Sequence, residues 1–144
     1  MKTIYIASDH AAFNEKETLR DDLKKSYNII DLGTFSGEST NYPEWATKLV
    51  LKVREEKAVG ILLCGSGIGV CMTANRFKDI RAALCHDEED AKMSRLHNNA
   101  NVLCLSGRRT PIDKLKSISD VFLTTDFEGG RHQTRIDQFN NLGE

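Results

Sequence analysis

The sequence predicts a single α/β domain: a doubly wound, five-stranded parallel sheet with helices on both faces. Two observations carry that prediction. Short apolar runs recur along the chain and are hydrophobic almost without interruption, as strands of a covered parallel sheet must be. Longer amphipathic segments separate them, which is the alternation that crossover helices produce. The 144 residues suit one domain able to bury a core, and no Ser- or Gly-rich linker, low-complexity tract or repeat divides them.

The elements follow in order. TIYIAS (3–8) reads as the first strand and NIIDLG (28–33) as the second, with a helix at about 14–26 between them. VGILLC (59–64) is the third strand, reached through a helix at about 43–57 that Pro43 opens. RAALC (81–85) and NVLCLS (101–106) are the fourth and fifth strands, preceded by helical patterns at about 67–77 and 87–97. Another helix runs over about 111–123, with Pro111 in its first turn. After the Gly129-Gly130 break, a polar helix over about 128–142 holds few apolar residues, so it either frays or packs on another subunit.

Composition narrows the function classes. Hydrophobic residues make up 40% and charged residues 28%, as in ordinary soluble domains. A formal net charge of −1 offers no bulk attraction to nucleic acid or membrane, so neither is expected as a partner. MKTIYIASDH has only a five-residue apolar-leaning run before Asp9, so neither a signal peptide nor a membrane span is expected there. Cysteines 64, 71, 85 and 104 form no C-x-x-C pair, which points to free thiols in a reducing cytoplasm. Cys71, Cys85 and Cys104 read as small core hydrophobes.

Ligands of open parallel sheets bind beyond the carboxyl ends of the strands. Those ends carry Asp9-His10, Cys64 onward, His86-Asp87 and Gly107-Arg108. Gly65-Ser66-Gly67-Ile68-Gly69 is either a structural turn or a cradle of backbone N–H groups for an anion. It is not a dinucleotide fingerprint, whose third glycine would fall at Val70, and no Gly-Lys-Ser/Thr follows. A helix start beside Cys64 would favour its thiolate. His97 closes a helix, where it can cap the helix or act as an acid–base group. Histidines 10, 86, 97 and 132 show no close ligand spacing, so no metal is expected. Arg131 and Arg135 share a helix face and could clamp a phosphate, with Arg108 as a third member, or form a solvated basic face.

Taken together, ASDHA (7–11), CGSGIG (64–69), AN (74–75), RAALCHD (81–87), HNNANVL (97–103) and FEGGRHQTRID (127–137) resemble the ribose-5-phosphate isomerase B family, which includes galactose-6-phosphate isomerase subunits. The resemblance spans residue 1 to about 140. It implies a Rossmann-like fold, a phosphosugar substrate, no cofactor, and active sites shared within a homodimer or tetramer through the C-terminal helix. It implies aldose–ketose isomerisation through a cis-enediol, with Cys64 as base. Some members use serine there and a later glutamate, but that later position is Val70 here. By the same resemblance Ser66 would move a proton between O1 and O2, while His97 and Asp9 would open the sugar ring. Backbone groups of Gly65, Ser66, Gly67, Ile68 and Gly69 would hold the enediolate. His10, Tyr42, Asn98, Arg108, Arg131 and Arg135 match substrate-binding positions. Six-carbon phosphosugars (allose 6-phosphate or galactose 6-phosphate) are the alternative substrates, and a non-catalytic phosphate- or nucleotide-binding module is the rival of another class.

Overall fold

The computed structural model describes residues 1–143. Five strands, β1 (Thr3–Ser8), β2 (Asn28–Asp31), β3 (Val59–Cys64), β4 (Ala82–Leu84) and β5 (Val102–Ser106), form one sheet in the order β2-β1-β3-β5-β4. Every neighbouring pair is parallel. Among the described residues six α-helices accompany them: α1 (Phe13–Leu23), α2 (Tyr42–Glu56), α3 (Ile68–Ala74), α4 (Glu88–Asn98), α5 (Ile112–Thr124) and α6 (Arg131–Asn140).

Strand alternation divides the apolar residues into two cores. Ile4 and Ile6, Ile61 and Leu63, and Leu103 and Leu105 face α1, α4 and α5, where Leu19, Ala91, Leu115, Ile118 and Phe122 meet them. Tyr5 and Ala7, Leu62 and Cys64, and Val102 and Cys104 face α2 and α3, against Leu49, Val50, Val53, Val70 and Ala74. Each fully buried Leu or Ile contributes about 1.5–3 kcal/mol of transfer free energy. The predicted doubly wound sheet is therefore present, with a helical layer on each face.

The differences from the sequence reading are local. The second strand ends at Asp31 rather than residue 33, and its residues alternate between exposed and half-buried, because it is an edge strand. The fourth shrinks to three residues, and the helix after the third strand ends at Ala74. Pro111 takes the N-cap position, one residue before the helix. The C-terminal helix begins at Arg131, because Gly129 and Gly130 both have positive φ, 76° and 60°. Lys16 is fully buried beside Asp31, an ion pair that the amphipathic pattern of α1 does not reveal.

Candidate active site

The chain turns left and right from β1, to β2 on one side and β3 on the other, so a crevice opens at the carboxyl ends of β1 and β3. Asp9 and Cys64 occupy it. Asp9 is buried and directly follows β1; its N–H donates to the Leu63 carbonyl at 3.3 Å, and its carboxylate accepts the Ala11 N–H at 3.1 Å. The next residue, His10, accepts the Thr40 N–H at Nδ1, 3.0 Å away, so its neutral form carries the proton on Nε2. That bond ties the loop before α2 to the crevice.

Cys64 ends β3 and is 4% exposed. Its Sγ accepts the Gly67 N–H at 3.1 Å, so the turn uses the sulfur as an acceptor. Gly67 needs its φ of 78°, and a Cβ there would lie 2.6 Å from Leu84 Cδ1. The donor to sulfur is thus the turn itself; α3 behind it has only seven residues. Ser66 Oγ accepts the Ile68 N–H at 3.2 Å and fixes the entry to that helix. Gly69 lies under the ring of Tyr42, whose Cε1 would be 2.5 Å from an added Cβ. Arg108 completes this rim: its N–H donates to the Gly65 carbonyl at 3.1 Å, and its guanidinium carbon is 3.3 Å from where a Gly65 Cβ would stand.

The remaining candidates lie elsewhere. Helix α4 runs from the end of β4 back across the sheet, so His97 and Asn98 stand at the amino ends of the strands. Arg81, just before β4, marks that end by donating through Nε to the Asn99 carbonyl at 2.8 Å. The last helix joins them there. The Glu128 N–H donates to the Leu96 carbonyl at 3.1 Å, and the His132 ring stacks on His97 with centroids 4.3 Å apart. Arg131 and Arg135 flank His132 and are exposed. The structure therefore gathers the predicted residues into two groups on opposite rims. Asp9, His10, Tyr42, Cys64, residues 65–69 and Arg108 form one; His97, Asn98, Arg131 and Arg135 form the other.

Three features escaped the sequence reading. Glu128 and His132 join His97, although 35 positions separate the two histidines in the chain and no linear spacing signals it. Burial lowers the His132 pKa, and the neighbouring His97 and Arg131 lower it further. Cys71 is half-buried rather than an inert core residue; a hydrogen bond from the Cys104 thiol brings it down to about 7. Burial pushes Cys85 up to about 12 and raises Cys104 well above an ordinary thiol, so these two are the core residues expected.

The Ribose/Galactose Isomerase family matches residues 4–139. The chain belongs to that family. Among its relatives, the ribose-5-phosphate isomerase B of Escherichia coli is 40% identical, over 95% of this chain and 93% of that one. A crystal structure of a ribose 5-phosphate isomerase from Thermotoga maritima superposes with a TM-score of 0.95 at 45% identity, covering 98% of this chain and 99% of that one. The Mycoplasma genitalium ribose-5-phosphate isomerase B, solved with bound ribulose-5-phosphate, gives 0.93 at 44% identity, over 96% and 93%. The five-stranded parallel sheet is thus the family's α/β fold, and the chain is an isomerase of this family. Among the described residues no helix is long and apolar enough to cross a membrane.

Proposed function

We propose that this isomerase interconverts ribose 5-phosphate and ribulose 5-phosphate through a cis-enediol, with the Cys64 thiolate as base. The observation that carries the reading is the buried sulfur at the β1/β3 crevice, held as a hydrogen-bond acceptor by Gly67 at 3.1 Å. Kinship with a relative solved with bound ribulose-5-phosphate supports the substrate.

The steps follow from the residues. Cys64 removes the proton from C2 of the opened aldose and returns it to C1. Negative charge moves onto O1 as the proton leaves, and backbone N–H groups of the 65–69 turn stabilise it, apart from those of Gly67 and Ile68, which already serve Cys64 Sγ and Ser66 Oγ. Ser66 relays a proton between O1 and O2. Before that step the furanose ring must open, with His97 and Asp9 as the acid–base pair. Arg131, Arg135 and His10 hold the phosphate, while Tyr42, Asn98 and Arg108 position the sugar.

This assignment needs two chains. Its residues come from both rims, so one site takes Cys64 and Asp9 from one protomer and His97, Arg131 and Arg135 from another. Exposed Ile68 and Met72 on α3, with Phe139 and Leu142 near the carboxyl terminus, supply apolar surface for such an assembly. A homodimer is the smallest assembly that completes the site, and a cytoplasmic setting suits its free thiols.

A coupled assay of the purified protein with ribose 5-phosphate, allose 6-phosphate and galactose 6-phosphate tests the proposal. Ribose 5-phosphate should be turned over best. Preference for a six-carbon sugar would replace the substrate, and no turnover of any of the three would overturn the function.

A further inference from the structure

The corner formed by α4 and α6 holds a cluster that the isomerisation chemistry does not use in full. His97, Glu128 and His132 each present a ligand atom, and these atoms all lie within 4.8 Å of one another. Glu128 reaches between the rings, with Oε2 3.9 Å from His97 Nε2 and Oε1 3.8 Å from His132 Nε2. Both separations are too long for hydrogen bonds. His132 is 5% exposed, yet its Nε2 has no hydrogen-bond partner among the described residues. A buried imidazole nitrogen without a partner, beside a carboxylate and a second imidazole, offers the donors that a metal ion takes.

We propose that His97, Glu128 and His132 bind a divalent transition-metal ion of the zinc type, and that the bound ion inhibits the enzyme by occupying His97. Two imidazoles and one carboxylate are a donor set that zinc accepts with a fourth position open. The His97 and Glu128 side chains are 41% and 50% exposed, so a water molecule can complete the tetrahedron. Ligand atoms around a tetrahedral ion at about 2.0–2.1 Å stand roughly 3.3 Å apart, so the carboxylate must close in by about half an ångström and the widest pair, within 4.8 Å now, by up to about 1.5 Å. The rings are stacked within 15° of parallel, so their in-plane lone pairs converge on one ion only when one ring turns out of the stack. His132 is fixed by burial, so His97 must tilt toward it. Arg131 and Arg135 oppose the ion's charge, which weakens the site.

The binding claim stands on the cluster alone; the inhibition rests on the ring-opening role given to His97 above. Binding is measured first, by titrating Co²⁺ and Zn²⁺ into full-length protein carrying Cys64→Ala, which removes one competing thiol. One ion per chain is expected, with the visible band of Co²⁺ in nitrogen and oxygen ligands. Glu128→Gln and His132→Gln, each in that background, should weaken binding by at least about tenfold, since even a change at an outer-shell partner costs about 10–100-fold. Glu128 is exposed, so its variant keeps the test valid if the buried His132 variant misfolds. No binding at millimolar ion, undiminished binding by Glu128→Gln, or a sulfur charge-transfer band would overturn the site.

Inhibition is then read in native protein. Zn²⁺ should slow turnover of ribose 5-phosphate, which is chiefly ring-closed, more than turnover of the open-chain ribulose 5-phosphate. Glu128→Gln should resist it. Equal inhibition in both directions would overturn the inhibitory role while leaving the binding result in place. Failure of metal-free enzyme to turn over either sugar would instead refute the proposed function.

Discussion

Mixing two inactive variants gives the sharpest test of a site split between rims. In one chain Cys64 ends β3 level with Ser106, the last residue of β5, whereas His97 and α6 sit beyond the start of β5 at Val102. At about 3.3 Å per residue, the five residues of that strand hold the two groups roughly 15 Å apart before the loops are added. No single enediol can touch both ends. Cys64→Ala should cost about 10²–10⁴-fold in kcat as the loss of a general base. Arg135→Ala should chiefly raise KM, because a dianionic phosphate contacts it before and during the reaction. A hybrid dimer holds one site carrying both lesions and one carrying neither. Random exchange makes about half the dimers hybrid, so about a quarter of the wild-type sites return. Assayed at subsaturating ribose 5-phosphate, where each parent is slow, the mixture should climb toward about 25% of wild type. Two affinity tags, purified in sequence, verify the exchange. A verified hybrid population no more active than its parents would refute the split site and require both groups to meet within one chain.

Three further outcomes are expected. In alkylation by iodoacetamide, Cys71 should titrate near its value of about 7, while ribose 5-phosphate protects Cys64 and leaves Cys71 exposed to reagent; equal protection of both in residue-resolved mass spectrometry would contradict the site. Gly69→Ala drives a methyl to 2.5 Å from the Tyr42 ring, so it should cost ~1–3 kcal/mol in chemical denaturation and far less in a Tyr42→Ala background; additive losses would mean that the two do not touch. Glu88 is held at about 2, below its ordinary 4.5, first by the Lys114 ammonium at 2.7 Å and then by the Ser117 hydroxyl. Its folded pKa is depressed, so its stabilisation is present above pH 4.5 and is lost as pH falls toward 2. The melting-temperature gap between wild type and Glu88→Gln should close across that window, and a gap constant with pH would refute the linkage.

How far the sequence shows this molecule depends on whether each feature is periodic along the chain. The three central strands, β1, β3 and β5, are apolar on both faces because helices cover both, so their continuous hydrophobicity is visible residue by residue. The edge strand β2 has one side unpaired, and there both burial and the strand's carboxyl boundary become harder to read. The site behaves in the same way. Cys64 and the 65–69 turn are adjacent in sequence, so a thiol held by its own loop is legible before any fold exists. The His97–His132 stack is not, because it forms only when α6 folds back onto the end of α4. Cys71 shows the limit most plainly, since its lowered pKa comes from Cys104, a residue on the neighbouring strand face. The polar composition of α6 was readable, but its reason was not. With only His132 and Ile136 buried, that helix has little to bind it to its own domain. Its arginines sit on the rim away from Cys64, where the proposed mechanism gives them no part within their own chain. A helix so weakly buried, carrying charges useless to its own thiol, makes physical sense when a second copy brings the opposite rim to meet it.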